Sequence, residues 1–206
     1  VIGSFLNVCI YRLPLKENIA TTGSHCMSCG HGLRWYDLVP LFSWLQLGGK
    51  CRYCNAKISV QYPLIEAMNG IGYVLIFIIN DINIDSILLC LFFSALVVLS
   101  VIDWRTYEIP IGVNITILVL GALRSALDYH NIVSHLIGFV CVSAFLLLIG
   151  IISGGRAMGG GDVKLMAAAG LFLGWRNVTL GFFLGCIIGS VIHLLLMKFA
   201  HKGRQL

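Results

Sequence analysis

The sequence predicts an all-α polytopic membrane protein: a helical bundle of about seven transmembrane segments, the first of them truncated, and one small cytoplasmic loop domain built on four cysteines. Three observations carry this. Of 206 residues, 58% are hydrophobic and only 11% charged, with a mean hydropathy of +0.92, whereas a soluble domain of this length carries roughly 25% charged residues. The apolar residues fall in long runs. A single polar, cysteine-rich block interrupts them.

The elements follow in order. Residues 1–10 are apolar but too short to cross about 30 Å of hydrocarbon, and read as the end of a first transmembrane helix whose start is missing. A cleaved signal peptide fits less well, because no small-residue cleavage site follows. Residues 11–61 form the polar block, 51 residues that hold four of the eight cysteines and no spanning stretch. Residues 62–206 are the transmembrane domain, with six helices expected at Tyr62–Ile79, Ser86–Ile102, Ile111–Leu127, Ile132–Ile152, Val163–Trp175 and Val178–Phe199.

Lys and Arg mark the cytoplasmic loops of a membrane protein. Alternating the sides puts 12 of the 14 basic residues inside and leaves only Arg124 and Arg176 near the outside. The cysteine block, Arg105, the Arg156–Lys164 stretch and the C-terminal Lys198, Lys202 and Arg204 then share the inner face. This places the protein as multi-pass in a membrane, in contact with lipid and with no nucleic acid as partner.

Two carboxylates stand at edges of apolar segments, where ionisable groups are costly and are functional candidates by default. Ser86–Ile102 runs inward and ends at Asp103. Val163–Trp175 runs outward and begins at Asp162, which closes the run Gly159-Gly160-Gly161-Asp162. Both aspartates therefore belong to the cytoplasmic edge, 59 positions apart. The helix after Asp162 covers only ~20 Å at 1.5 Å per residue, so this carboxylate is expected slightly below the membrane surface, on a re-entrant glycine loop.

Two neighbouring carboxylates share one proton. That suits peptide hydrolysis, in which the anion activates water and the acid polarises the carbonyl and protonates the leaving amine. Helix polarity suggests Asp162, at an N-terminus, as base and Asp103, at a C-terminus, as acid, although the pair titrates as a unit. Gly159, Gly160 and Gly161 let backbone approach a substrate closely. Lys164 bears on Asp162 or on a substrate carbonyl, or simply snorkels to headgroups. The competing reading makes the glycines a flexible turn, Asp162 an ordinary helix cap and Asp103 a structural partner of Arg105. The shared side favours the catalytic reading.

Cys26-Met27-Ser28-Cys29 and Cys51-Arg52-Tyr53-Cys54, 21 residues apart, have close to the spacing of a structural four-cysteine zinc site. A reducing cytoplasm argues against disulfides. Zinc would order a block too short to build its own core, with His25 and His31 as bystanders. Cys9, Cys90, Cys141 and Cys186 read as small core residues. Gly181, Gly185 and Gly189 form a small-residue stripe suited to packing within the bundle or between protomers, which leaves a homodimer open. Asn7 and Arg12 are placed near the cytoplasmic mouth, and His193 is read as a packed, hydrogen-bonded residue.

The chain resembles the type IV prepilin peptidases, membrane aspartic proteases of the GxGD type. The likeness rests on Gly3 to Pro14 (GSFLNVCIYRLP), the paired Cys-x-x-Cys block ending at Ile58 to Glu66 (ISVQYPLIE), Ile102-Asp103 through Ile109-Pro110, and Gly159 to Leu165 (GGGDVKL). It implies that Asp103 and Asp162 are the catalytic aspartates. It also implies cleavage of the short basic leader of type IV prepilins or pseudopilins, the subunits of pili and related secretion systems, and in many members N-methylation of the new N-terminus with S-adenosylmethionine. The cysteine loop is implicated in that second step, with Gly49 and Lys50 as contributors; no Rossmann-type glycine fingerprint supports it. Ile111 stands where the family often has Asp or Asn, a position outside the catalytic pair.

Two other classes compete. A proton-coupled transporter would use the aspartates as a relay, but such sites lie near the midplane in repeated broken helices, and no repeat of the Asp103 region recurs around Asp162. A zinc-bearing membrane scaffold would need neither aspartate.

Overall fold

The computed structural model describes residues 2–19, 23, 25–26, 28–39, 41–156 and 158–202. Val1 and Arg204, used above in placing the first segment and the basic residues, lie outside them. Seven helices follow: α1 Ile2–Arg12, α2 Phe42–Gln46, α3 Gln61–Asn80, α4 Ile84–Thr106, α5 Ile111–Leu127, α6 Ile132–Ile152 and α7 Gly160–Lys202. Among the described residues there is no strand, only two isolated antiparallel bridges. Four helical stretches are long and apolar enough to cross a membrane: Gln61–Asn80, Ile84–Thr106, Tyr129–Ile152 and Gly160–Lys198; α5 is shorter. The expected all-α, multi-pass architecture holds. The chain forms two compact units, Val1–Thr116 and Ile117–Leu206.

In the first unit α1, α3 and α4 pack together. Water-filled alternatives are absent inside a bilayer, so buried polar side chains there must find partners in the protein. Ser94 on α4 donates to Asn69 Oδ1 on α3 at 2.9 Å, and the Tyr73 hydroxyl meets Ser94 Oγ at 2.8 Å. Asn7 is buried and donates through Nδ2 to the carbonyls of Gly3 and Tyr62. Close approach of α1 to α3 requires Gly3, because a Cβ there would sit 2.8 Å from the Glu66 Cα. Arg12 is buried too. Its guanidinium donates to the carbonyls of Asn18 and Gly23, so it ties down the start of the loop rather than only anchoring a charge. At the same end Tyr11 stacks on Tyr62 at 5.6 Å, with Arg105 4.4 Å over the Tyr11 ring.

The second unit is built on glycine contacts. A Cβ on Gly170 of α7 would overlap the Gly138 carbonyl oxygen of α6, and one on Gly138 would overlap the Gly170 carbonyl oxygen. Inside α7, Gly174 breaks the helix at φ 76°, ψ 165°, a left-handed φ that favours glycine. The chain reverses there. Before the break α7 runs against α6: His135 meets Leu171, and Val163 and Met166 pack beside Val142 and Leu146. After it α7 runs along α6: Val178 and Phe182 return to the Val142–Leu146 level, and Phe182 meets Phe145 at 6.2 Å. The two expected segments therefore exist as a hairpin with a one-residue turn.

The break frees carbonyls that a continuous helix would have used, and two basic side chains take them. His135 Nδ1 lies 2.8 Å from the Leu171 oxygen, and Arg124 donates to the Phe172 oxygen at 3.1 Å. Cations are favoured at a helix C-terminus. Arg124, expected only as an outer-edge charge, is thus a helix cap.

No described atom lies within 4 Å of a Cβ placed on Gly181, Gly185 or Gly189, so of the two packing modes expected for the stripe, the one within the bundle is not seen among the described residues. Two other sequence expectations fail. Cys141 and Cys186 are exposed, unlike the buried Cys9 and Cys90; both sit on helix faces that a membrane would cover with lipid, where a thiol costs little. His193 is likewise exposed on α7, with no packed surroundings.

Candidate functional site

The cysteine loop is built from two copies of one turn. The Gly30 N–H donates to the Cys26 carbonyl and the Cys26 N–H to the His31 carbonyl; the Asn55 N–H donates to the Cys51 carbonyl and the Cys51 N–H to the Ala56 carbonyl. In both, the residue after the second cysteine takes a left-handed φ, 70° at Gly30 and 57° at Asn55, conformations that glycine and asparagine adopt at least cost. Bridges His25–Gly32 and Lys50–Lys57 close the turns into minimal hairpins. Each turn presents its two thiols to the same point.

The Sγ atoms of Cys26, Cys29, Cys51 and Cys54 lie within 4.8 Å of one another, with Cys26 and Cys54 3.8 Å apart. Four sulfurs around a zinc ion at about 2.3 Å form a tetrahedron with edges of ~3.8 Å, so the donor set fits such a metal. The Cys29 and Ser28 backbone N–H groups lower the Cys26 thiol to about 6. At Cys54 the Ala56 N–H pulls the other way, but burial within the cluster and hydrogen bonds with Cys29, Cys51 and Cys26 leave that thiol at about 11. A metal ion bound by these sulfurs would displace the protons of its thiol ligands. His31 packs on Tyr53 at 3.7 Å and His25 Nδ1 faces the Gly23 carbonyl; neither imidazole joins the thiols.

Side-chain contacts brace this loop. Arg52 pairs with Asp37 at 2.8 Å and covers the Tyr36 ring at 5.2 Å, joining the second turn to the 3-10 turn Trp35–Leu38. Trp44 of α2 donates to the Ile58 carbonyl at 3.4 Å. Gly49 has φ 69°, and a Cβ on it would lie 2.9 Å from the Trp44 ring. Its lack of a side chain has a packing cause. Lys50 is exposed beside it.

Asp103 is exposed on the last turn of α4, where its carbonyl accepts the Tyr107 N–H and Tyr107 takes the left-handed conformation at φ 55°. Asp162 is half-buried in the first turn of α7. It is the third helical residue, so it is not the helix cap. Its carboxylate lies against Gly159: a Cβ there would come within 3.3 Å of Asp162 Oδ2. Gly160 has open space around it and Lys164 is exposed. The four cysteines are brought together within the first unit. Asp103 belongs to that unit and Asp162 to the second.

Fold and site define a multi-pass helical membrane protein with a four-cysteine metal-type loop and carboxylates at the ends of two of its helices. The chain belongs to the type IV leader peptidase family, whose model matches residues 90–194, while residues 1–79 match the bacterial peptidase A24 N-terminal domain. By family it is an enzyme, a leader peptidase. Among similar proteins, one from Vibrio cholerae is 33% identical over 93% of this chain and 81% of its own length. One from Myxococcus xanthus is 31% identical over 95% of this chain, which spans 60% of that relative's length. One from Aeromonas salmonicida is 27% identical over 100% of this chain and 82% of its own length. All three are named prepilin leader peptidase/N-methyltransferase. No solved structure matches the chain.

Proposed function

We propose that this chain is an aspartic endopeptidase that cleaves the basic leader of type IV prepilins or pseudopilins at the cytoplasmic edge of the inner membrane, with Asp103 and Asp162 as its catalytic pair. The family match and the relatives' names support the substrate class. The observation that carries the site is the seat of Asp162 in the first turn of α7, with Gly159 leaving room for its carboxylate.

The chemistry follows from helix polarity. The N-terminal dipole of α7 favours the Asp162 anion, and the C-terminal end of α4 favours a protonated Asp103. Asp162 takes a proton from water as its oxygen attacks the scissile carbonyl. Protonated Asp103 hydrogen-bonds to the carbonyl oxygen and stabilises the tetrahedral oxyanion. As the C–N bond breaks, Asp103 gives its proton to the leaving amine and the carbonyl re-forms; transfer of the proton from Asp162 to Asp103 then restores the starting state. A pair that works in the singly protonated state gives a bell-shaped pH dependence, whose two limits belong to the pair.

Residues 11–61 serve as the zinc-ordered cytoplasmic domain, the metal being structural: held by Cys26, Cys29, Cys51 and Cys54, it would cross-link two turns that lack a core of their own. Methylation of the new N-terminus with S-adenosylmethionine is proposed on the relatives' names, with no residue of this chain assigned to the cofactor.

The test uses reconstituted protein, a purified prepilin and mass spectrometry of the products. Asp103→Asn and Asp162→Asn should each lower cleavage by roughly 10³-fold, within the range for acid–base groups, while bound metal and helicity stay constant. Undiminished cleavage in either variant removes the dyad. Adding S-adenosylmethionine should add one methyl mass to the processed product; an unshifted mass limits the enzyme to proteolysis.

A further inference from the structure

The short helix α2 carries an apolar face that no described part of the first unit covers: Phe42 is 65% exposed and Leu45 69%. Val39 and Leu41, just before it, are exposed as well. In a polar loop this face would be a liability in water. Its position along the neighbouring membrane helix accounts for it.

The backbone N–H of Leu41 donates to Glu66 Oε2 at 2.9 Å. Glu66 lies in the second turn of α3, a 20-residue helix running from Gln61 to Asn80. Twenty residues at 1.5 Å each make about 30 Å, the thickness of the hydrocarbon core, so α3 has no turns to spare outside it. Glu66, five residues in, therefore sits roughly 7 Å along the helix from that edge. A hydrogen bond at this depth holds Leu41, and with it the start of α2, in the outer acyl region just below the headgroups. Leu64 on α3, two residues from the tether, is 64% exposed, so the outward face of α3 is apolar at the same level. Lys50, exposed four residues after α2, adds a cation suited to an anionic headgroup.

We propose that α2 docks on the interfacial zone of the phospholipid bilayer that α3 crosses, with Phe42 and Leu45 inserted and Glu66 as the tether that sets their depth. The loop is then held to the membrane at a third point between its two covalent ends, α1 and α3. This does not depend on which reaction the protein catalyses, and its test reads no proteolysis.

The full chain is prepared with a photoreactive benzophenone side chain at Phe42, at Leu45 or, as control, at the exposed Lys57 in the second cysteine turn. Each variant is reconstituted in phosphatidylethanolamine–phosphatidylglycerol vesicles, illuminated and analysed by mass spectrometry. Phospholipid adducts at positions 42 and 45 should exceed those at 57 by about fivefold or more, as expected for an interfacial helix. Glu66→Ala should lower the adducts at 42 severalfold, with helicity and bound metal unchanged, and Glu66→Gln, which keeps the acceptor oxygen, should retain them. Adducts at 42 and 45 no higher than at 57 overturn the proposal, as do cross-links to a second protein chain in place of lipid. If Glu66→Ala leaves them unaltered, the tether is refuted.

Discussion

The two units hold their helices together by different means. In the first, α3 and α4 meet through the Asn69–Ser94–Tyr73 hydrogen bonds, and α1 is tied to α3 by Asn7 as well as by the close approach at Gly3. In the second, α6 and α7 meet backbone to backbone at Gly138 and Gly170. Lipid removes the hydrophobic drive between transmembrane helices, leaving polar side chains and close packing of small residues as alternatives. The polar solution tolerates adjustment, because a side chain can re-aim. The glycine solution does not, because backbone has nowhere to go.

The comparison can be broken by experiment. The largest effect is expected in the part of the first unit with no helix packing behind it: Cys51→Ala should reduce bound zinc from one ion per chain to below about 0.1 and release amide protection throughout the cysteine loop, since structural zinc supplies most of the folding free energy of such small sites. Hydrogen exchange in α6 and α7 should not change; if it does, the units are not energetically separate. Next, Gly170→Leu should destabilise the second unit by about 3 kcal/mol, at the upper end for overpacking because the obstacle is backbone. Asn69→Leu in the first unit should cost only about 1 kcal/mol, in line with interhelical hydrogen bonds in membranes. Urea or dodecyl sulfate unfolding of both variants tests the order, and a larger loss for Asn69→Leu would reverse the contrast drawn above.

The smallest effect concerns Asp128, in the loop before α6. Hydrogen bonds from Asn131, then His135, and the nearby Arg124 charge hold its carboxyl below the ordinary value of 3.8. A depressed carboxylate stabilises the fold above its unfolded pKa and loses that contribution as pH falls through the folded one. Asp128→Asn should therefore be slightly less stable than the parent at neutral pH, with the two melting curves converging below about pH 4. A difference that persists into acid would assign the effect to packing.

Much of this was legible in the sequence. The apolar runs located every long helix, because a segment buried in lipid must satisfy its own backbone and so advertises itself by length. The paired Cys-x-x-Cys turns foretold the thiol cluster, since local turn geometry fixes where those sulfurs point. Tertiary contacts were harder. The stripe Gly181, Gly185 and Gly189 matched the packing pattern yet meets no other helix among the described residues, while the real contact joins Gly138 and Gly170 from two different helices, a pairing that spacing within one segment does not reveal. The roles of Arg124 and His135 were equally hidden. They answer carbonyls freed by Gly174, and a glycine between two apolar runs, with a cation on a neighbouring segment, was the signal available. Helix α2 was missed because five residues carry too little periodicity to register.

The one-residue turn at Gly174 makes the first arm of α7 a ruler. Between Gly174 and Asp162 lie twelve steps of regular helix, or about 18 Å, with no loop to absorb an error. The height of the Asp162 carboxylate above the turn is thus fixed by residue number alone, whatever residues 153–159 do. Inserting a single residue in this arm would raise the carboxylate by about 1.5 Å and swing it by roughly 100° around the axis. Apart from Gly170, which the contact with α6 keeps without a side chain, residues along the arm can change as long as they stay apolar, but its length cannot.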